Sequence, residues 1–513
     1  MFFHTRKTKQ PPLLLAVVIV IITLPMLLPI LYILQYGITL DIHQTYHLIF
    51  RAETFLLLRN TLLLCFTVTL ISVLLGGLCA FLLERCQVRG KNLLSVLISL
   101  PLCIPGIVSG FTWFSLNTRI FSGFLGASLV MTLVSFPLAF LPISAALKRI
   151  DSTWEEVSYS LGRSRFYTFL HVLLPQLKPA IGSAVLLIAL HLLIEFGVIA
   201  IMGYDTFSTA IFAEFEAYYN TQTAAVLCFV LVLLCLCIIG FELKIRGQAN
   251  RVRSGKGVVH PPKLIYLGYG EWFVIGFVSL IFILGVVVPV IVLCQWIYEG
   301  TAIHSEYFSW KTYFNVIADT IFISLISAAI TVLVASPLVW FSVRYSSFLS
   351  RWLERLPFIL HAIPSIVVGL AIARYTVLYA GIFYQTYYVL IPAYLMLYLP
   401  LAQTTLRSAV EQLPYHIEEV SDSLGQKRAT LLMRVILPSV RPGVIAGLAL
   451  CFLQMMKELT ATLILSPAGM STIAIEIWHA QEGLSYSIVA VYGLSLILFS
   501  GIPVYLLKRH YSG

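Results

Sequence analysis

The chain has 513 residues, 59% of them hydrophobic and 11% charged, with a formal net charge of +10. A soluble domain carries roughly 25% charged residues, so this composition excludes a water-facing globular protein and implies an integral membrane protein. The basic excess does not read as a nucleic-acid surface, because the charges sit in short loops between apolar runs, where membrane topology places them.

A helix that crosses the hydrocarbon core needs about 20 apolar residues. Twelve such runs lie near 13–35, 56–83, 93–117, 123–147, 181–203, 223–243, 272–297, 314–343, 353–379, 386–406, 443–465 and 485–507. The first lacks a small-residue cleavage site and reads as a retained span. Pro105 and Pro364, just inside two runs, read as helix kinks. With Arg6, Lys7 and Lys9 placed in the cytoplasm, 27 of the 33 Lys and Arg residues fall on the cytoplasmic side. That asymmetry predicts an all-α membrane protein with twelve transmembrane helices and both termini cytoplasmic. The nine cysteines, mostly in apolar runs, suggest no disulfide framework; Cys235 and Cys237 read as packing residues rather than a metal pair.

One charged phrase occurs twice. "EEVSYSLGRSRFYTFLHVLLPQLKP" begins at Glu155, and "EEVSDSLGQKRATLLMRVILPSVRP" begins at Glu418. Over Glu155–Ile181 and Glu418–Val444, 12 of 27 positions are identical without gaps. Upstream, "PGIVSG" (Pro105–Gly110) aligns with "PSIVVG" (Pro364–Gly369), and Arg85 with Arg344; downstream, Glu195 aligns with Glu458. The chain is therefore expected to hold two tandem six-span units, 1–243 and 271–513, joined by a cytoplasmic linker at 244–270. Both copies of the phrase, in loops 151–180 and 414–443, fall in the cytoplasm.

Within the first copy, Ser152 and Glu155 have capping-box spacing, which predicts a helix start. Val157 and Leu161 form an apolar stripe, Gly162 supplies a turn or a close approach, and Pro175 and Pro179 punctuate the return to the membrane. A loop lying on lipid headgroups would also be amphipathic. It leaves unexplained why acid, Gly and Pro keep their spacing in both copies, which a partner with two equivalent sites requires.

The two phrases resemble the EAA loop of bacterial ABC importer permeases: an acid, two small residues, a Gly six positions on, and a downstream Leu-Pro. Val157-Ser158 and Val420-Ser421 depart from the usual Ala-Ala. The resemblance implies a fused, two-unit permease of the bacterial inner membrane, bathed in lipid, with coupling helices that insert into a nucleotide-binding subunit. It assigns ATPase coupling to Glu155, Glu156, Ser158, Gly162 and Pro175, and to Glu418, Glu419, Ser421, Gly425 and Pro438. Two ATPase subunits would carry ATP and Mg, with no cofactor and no catalytic residue in this chain, and a periplasmic binding protein would deliver cargo. No phosphate-loop motif occurs in this sequence. The stretches "EFGVIAIMGYDTFSTAIF" (Glu195–Phe212) and "MKELTATLIL" (Met456–Leu465) resemble fused ferric-iron permeases; related permeases carry thiamine, phosphonates, polyamines or sulfate. An ion-coupled secondary transporter needs no docking loops, and a membrane enzyme lacks any His/Asp/Glu cluster or nucleophile elbow here.

An ionisable residue inside a span is a functional candidate by default. Glu195 and Glu458 occupy equivalent positions, and paired carboxylates suit a hard cation such as ferric ion, so both are translocation-pathway candidates. The plainer alternatives are a Glu458–Lys457 pair and a Glu195–His191 contact. His191, His361 and His479 lack ligand spacing, and no metal site is firmly assigned.

Overall fold

The computed structural model describes residues 13–39, 42–218, 220–249, 264–300, 309–345, 350, 352–353, 356–358, 363–411, 413, 421, 423, 428–483 and 485–511. Lipid offers no partner for a bare peptide group, so long apolar runs close their own hydrogen bonds as helices. Each expected run contains helix. Among the described residues, nine helices are long and apolar enough to cross a membrane, ten if one bent pair is a single span. Two shorter apolar helices, Ser365–Tyr379 and Tyr486–Gly501, lie in the remaining runs. Length and composition alone thus support nine or ten of the twelve expected spans. Among the described residues the strand pairing is confined to Cys86–Gln87 beside Ile265–Tyr266, in parallel.

Four runs differ from uninterrupted spans. The 93–117 run breaks into Lys91–Cys103 and Gly106–Leu116, bent by 88°. Pro105 stands in extended conformation at the start of the second piece, and Pro364 likewise precedes Ser365–Tyr379. These prolines start helices instead of kinking them. A ring that fixes φ and removes a donor costs nothing at a helix start, where the N–H has no intrahelical partner. The 181–203 run ends at Ile194, turns at Glu195 and resumes as Gly197–Ile201. The 443–465 run stops at Met455 and resumes as Thr460–Leu465.

At three prolines within spans the helix widens first, whereas Pro137, Pro142, Pro337, Pro392 and Pro400 lie in continuous α-helix. Three π-helical turns, Phe169–Leu173, Ile283–Val287 and Leu432–Ile436, each end two residues before a proline: Pro175, Pro289 and Pro438. The wider turn shifts the carbonyl that the pyrrolidine ring would strike. The second helix of the charged phrase therefore runs unbroken into the membrane as Arg165–Ile194. Pro175 and Pro179 sit inside it and mark no re-entry point.

Two compact units form. One holds Ile42–Thr301 and Leu484–Leu494; the other holds Met1–Asp41, Ala302–Gly483 and Ser495–Gly513. The first helices of the chain thus group with the second repeat, where Tyr375 donates to Gln35 at 3.2 Å. Gly270–Glu299 groups with the first repeat, where Gly285 faces Pro101 so closely that an added Cβ would meet it at 3.1 Å. The sequence repeat and the compact unit are different divisions of the chain.

In the first-repeat unit the helix Ala52–Arg85 packs on Gly123–Arg149. A Cβ at Gly76 would lie 2.6 Å from the Phe136 carbonyl oxygen, whereas one at Gly77 would meet only a side-chain end at 3.7 Å. Backbone cannot move aside as a side chain can. Gly76→Ala is expected to destabilise the detergent-purified chain by about 1–3 kcal/mol. Gly77→Ala should be neutral or slightly stabilising, because alanine is the better helix former. Thermal unfolding of the two variants checks the contrast.

Candidate functional site

The first charged phrase folds as two short helices. Thr153–Ser160 begins after Asp151, whose Oδ1 accepts from the Thr153 N–H at 3.0 Å and from its hydroxyl at 2.7 Å. Ser152 has helical backbone angles and its side chain caps nothing, so the expected capping box does not form. Glu155 is engaged elsewhere: its carboxylate lies 2.8 Å from Arg85 Nη1. Burial pushes the Glu155 carboxyl above its ordinary range, and Arg85 partly offsets this.

The helix ends in a Schellman turn. The Gly162 N–H donates to the Tyr159 carbonyl at 2.9 Å, and the Arg163 N–H to the Ser158 carbonyl at 3.1 Å. Gly162 takes φ +74°, and nothing lies within 4 Å of where its Cβ would stand. The glycine serves the left-handed turn, not a close approach. Ser164 caps the next helix by accepting from the Tyr167 N–H at 3.2 Å. Ser158 is buried and shares a 2.8 Å hydrogen bond with Thr168, which ties the two helices together. Outward, the pair presents Glu156 beside Trp154, Val157, Leu161 and Phe166, the last two 72% exposed. Large apolar side chains exposed around a rigid turn mark an interaction surface.

In the second copy Glu418, Glu419 and Gly425 lie outside the described residues. Ser421 is buried like Ser158, and Pro438 follows its π-helical turn as Pro175 does.

Sequence reasoning took Arg85 only as a cytoplasmic-side charge and a repeat marker aligned with Arg344, and passed over Glu84. Both are buried at the end of Ala52–Arg85. Glu84 is held by Lys91 at 3.1 Å, Lys148 at 3.2 Å and the Ser144 hydroxyl at 2.8 Å. The available signal was two opposite charges closing a long apolar run.

Glu195 and Glu458 sit at the interior helix breaks, both half-buried. Glu195 Oε1 accepts from the Val198 N–H at 3.3 Å, and its carbonyl from the Ser208 hydroxyl at 2.9 Å. Glu458 Oε1 accepts from the Ala461 N–H at 3.1 Å, and its carbonyl from the Thr462 hydroxyl at 2.8 Å. Tyr398 donates to the other Glu458 oxygen. Each carboxylate thus caps the short helix that follows it. Glycine lets that helix pack closely: a Cβ at Gly110 would lie 3.4 Å from Val198 Cα, and one at Gly369 would lie 3.5 Å from Ala461 Cα.

The parallel extends beyond the aligned sequence. Positive-φ glycines, Gly203 and Gly469, follow the short helices. Thr206 and Thr472 then cap Phe207–Glu216 and Ile473–Glu482. The first N–H of each is taken by a threonine from a long span, Thr61 at 3.2 Å and Thr320 at 2.9 Å. Among the described residues no three His, Cys, Asp or Glu converge as a metal site.

The family described as the inner membrane component of binding-protein-dependent transport systems matches the chain twice, at residues 72–243 and 330–511. The chain is 46% identical over 503 residues to the Fe(3+)-transport system permease protein FbpB 2 of Haemophilus influenzae, covering 98% of this chain and 99% of the relative. It is 24% identical over 402 residues to the ferric transport system permease protein FbpB of Actinobacillus pleuropneumoniae, covering 73% and 57%. It is 30% identical over 168 residues to the sulfate transport system permease protein CysT of Escherichia coli, covering 30% and 61%. The chain belongs to the family of binding-protein-dependent transport inner membrane components, of which it carries two units in tandem.

Proposed function

We propose that the chain is the multi-pass permease of an ATP-driven importer that passes ferric iron from a periplasmic binding protein to the cytoplasm. The observation that carries the substrate is identity of 46% across both full lengths with an Fe(3+)-transport permease. The sulfate-type relative aligns with only 30% of the chain. Two ATPase subunits, holding ATP and Mg, dock on loops 151–180 and 414–443, with both termini on that side. The exposed Trp154, Val157, Leu161 and Phe166 around the Gly162 turn support this reading, with Glu156 as the charged contact.

Glu195 and Glu458 are the pathway residues in this scheme. A hard cation prefers oxygen ligands, and each carboxylate keeps lone pairs beyond the one that caps its helix. Proteoliposomes with permease, ATPase and binding protein test the assignment. ATP-dependent uptake of labelled ferric ion is expected, and none of sulfate, thiamine or phosphonate. Uptake of one of those with no iron uptake would reassign the cargo and keep the transporter class.

Gly162→Asn should retain ATPase co-purification and uptake, because asparagine tolerates the left-handed turn. Gly162→Val should lose most of both, since its strain is roughly 1–2 kcal/mol in a helix pair that must present one shape. Glu195→Gln and Glu458→Gln keep an acceptor for the capping N–H and remove the charge. Each is expected to cut iron uptake about tenfold, as losing one charge-assisted contact of about 1.4 kcal/mol would. Full uptake by both would remove the pathway role.

A further inference from the structure

Helix Ala52–Arg85 has 34 residues, about 50 Å at a rise of 1.5 Å per residue. That exceeds the hydrocarbon thickness of about 30 Å, and both ends carry buried polar side chains. At one end Arg85 is 2% exposed and meets Glu155 of the docking helix at 2.8 Å. Toward the other, Asn60 donates to the Asp205 carbonyl at 3.1 Å, and Tyr204 donates to the Asn60 carbonyl at 3.3 Å. Thr61 accepts from the Phe207 N–H at 3.2 Å. Those partners lie in the loop directly after the short helix capped by Glu195 and at the first residue of the helix that follows. One unbroken helix therefore holds the docking helix at one end and the Glu195 break at the other.

We propose that Ala52–Arg85 is a connecting rod, with Arg85 and Thr61 as positioning residues that couple the cytoplasmic docking helix to the Glu195 break. The proposal rests on the importer reading above. A rod must resist bending, and this one is seated by Gly76 directly on the backbone of Gly123–Arg149. Its grip on the docking helix is one ion pair at a buried site, where a missing partner is not replaced by water. The second repeat has the same parts: Trp310–Arg344, with 35 residues, holds the Ile473 N–H through Thr320 and closes on Arg344, which lies over the Trp340 ring at 4.9 Å. Arg344 aligns with Arg85; Glu418, the counterpart of Glu155, lies outside the described residues.

The test uses the whole transporter in proteoliposomes, reading iron taken up per ATP hydrolysed. Arg85→Gln, Glu155→Gln and Thr61→Val are each expected to lower that ratio about tenfold, within the range of typical coupling free energies. Arg85→Glu with Glu155→Arg should recover at least a third of the wild-type ratio, which a purely structural loss would not restore. Arg85→Gln combined with Thr61→Val should be no worse than the weaker single variant, because both interrupt one linkage. Glu155→Gln, isosteric and half-buried, decides the question if Arg85→Gln does not assemble. Single-variant ratios equal to wild type, or simple multiplication in the double variant, would overturn the rod. A wild-type complex that hydrolyses ATP without any uptake would instead overturn the importer reading.

Discussion

The constraint on which the structure turns is the demand that every peptide group at membrane depth find a partner within the protein. Straight spans meet it automatically. Interior helix ends do not, because each exposes up to four bare N–H or C=O groups. The chain has such ends at Glu195 and Glu458, and it closes them with side chains. A carboxylate takes the Val198 or Ala461 N–H, and a span threonine takes the Phe207 or Ile473 N–H. A carboxylate suits a helix N-terminus because the exposed N–H dipoles favour negative charge there. Capping and a place on an iron path are therefore compatible roles for one residue.

The same accounting explains how the polar repeated phrase joins a span without a loop. Arg165–Ile194 carries Pro175 and Pro179, and a proline ring would collide with an ordinary helical turn. The π-helical turn Phe169–Leu173 absorbs that collision ahead of Pro175. The second helix of the charged phrase and the span behind it are thus one continuous helix. Ser158 and Thr168 pin the preceding short helix to that backbone. Arg85 ties the same short helix to a second span.

Much of this was legible in the sequence. Apolar run length located the helices, and the doubled phrase located a short two-helix segment, with Gly162 as a turn or a close approach, of which the structure shows the turn. The same reasoning failed where one residue had two available partners. Glu155 has capping-box spacing from Ser152, but its carboxylate pairs with the buried Arg85, and Asp151 serves the Thr153 N–H. Pro105 and Pro364 read as kinks and not as helix starts, because a proline reads alike in either position; at Pro105 the 88° bend separates the two. The grouping of Leu13–Thr39 with the second repeat had no local signal, since every face of a lipid-embedded helix is apolar. The helix-capping role of Glu195 and Glu458 was hidden because a 20-residue apolar window does not register a five- or six-residue helix after a turn.

The two repeats are alike in architecture and unlike at the carboxylates. Pro137 and Pro400 align at the spacing that relates Glu195 to Glu458, which sets Ser135 opposite Tyr398. Tyr398 donates to Glu458, whereas Ser135 is buried with no hydrogen-bond partner in the structure. The Glu195 carboxylate accepts from the Val198 N–H, and the Glu458 carboxylate accepts from both the Ala461 N–H and the Tyr398 hydroxyl. A carboxylate already holding a phenol and an amide has less capacity for a cation than one holding an amide alone. A symmetric dimer of identical units could not draw that distinction, because any tyrosine opposite one glutamate would stand opposite the other. Fusion of the repeats into one chain frees the two positions to diverge, and it is Glu458 that has gained the tyrosine.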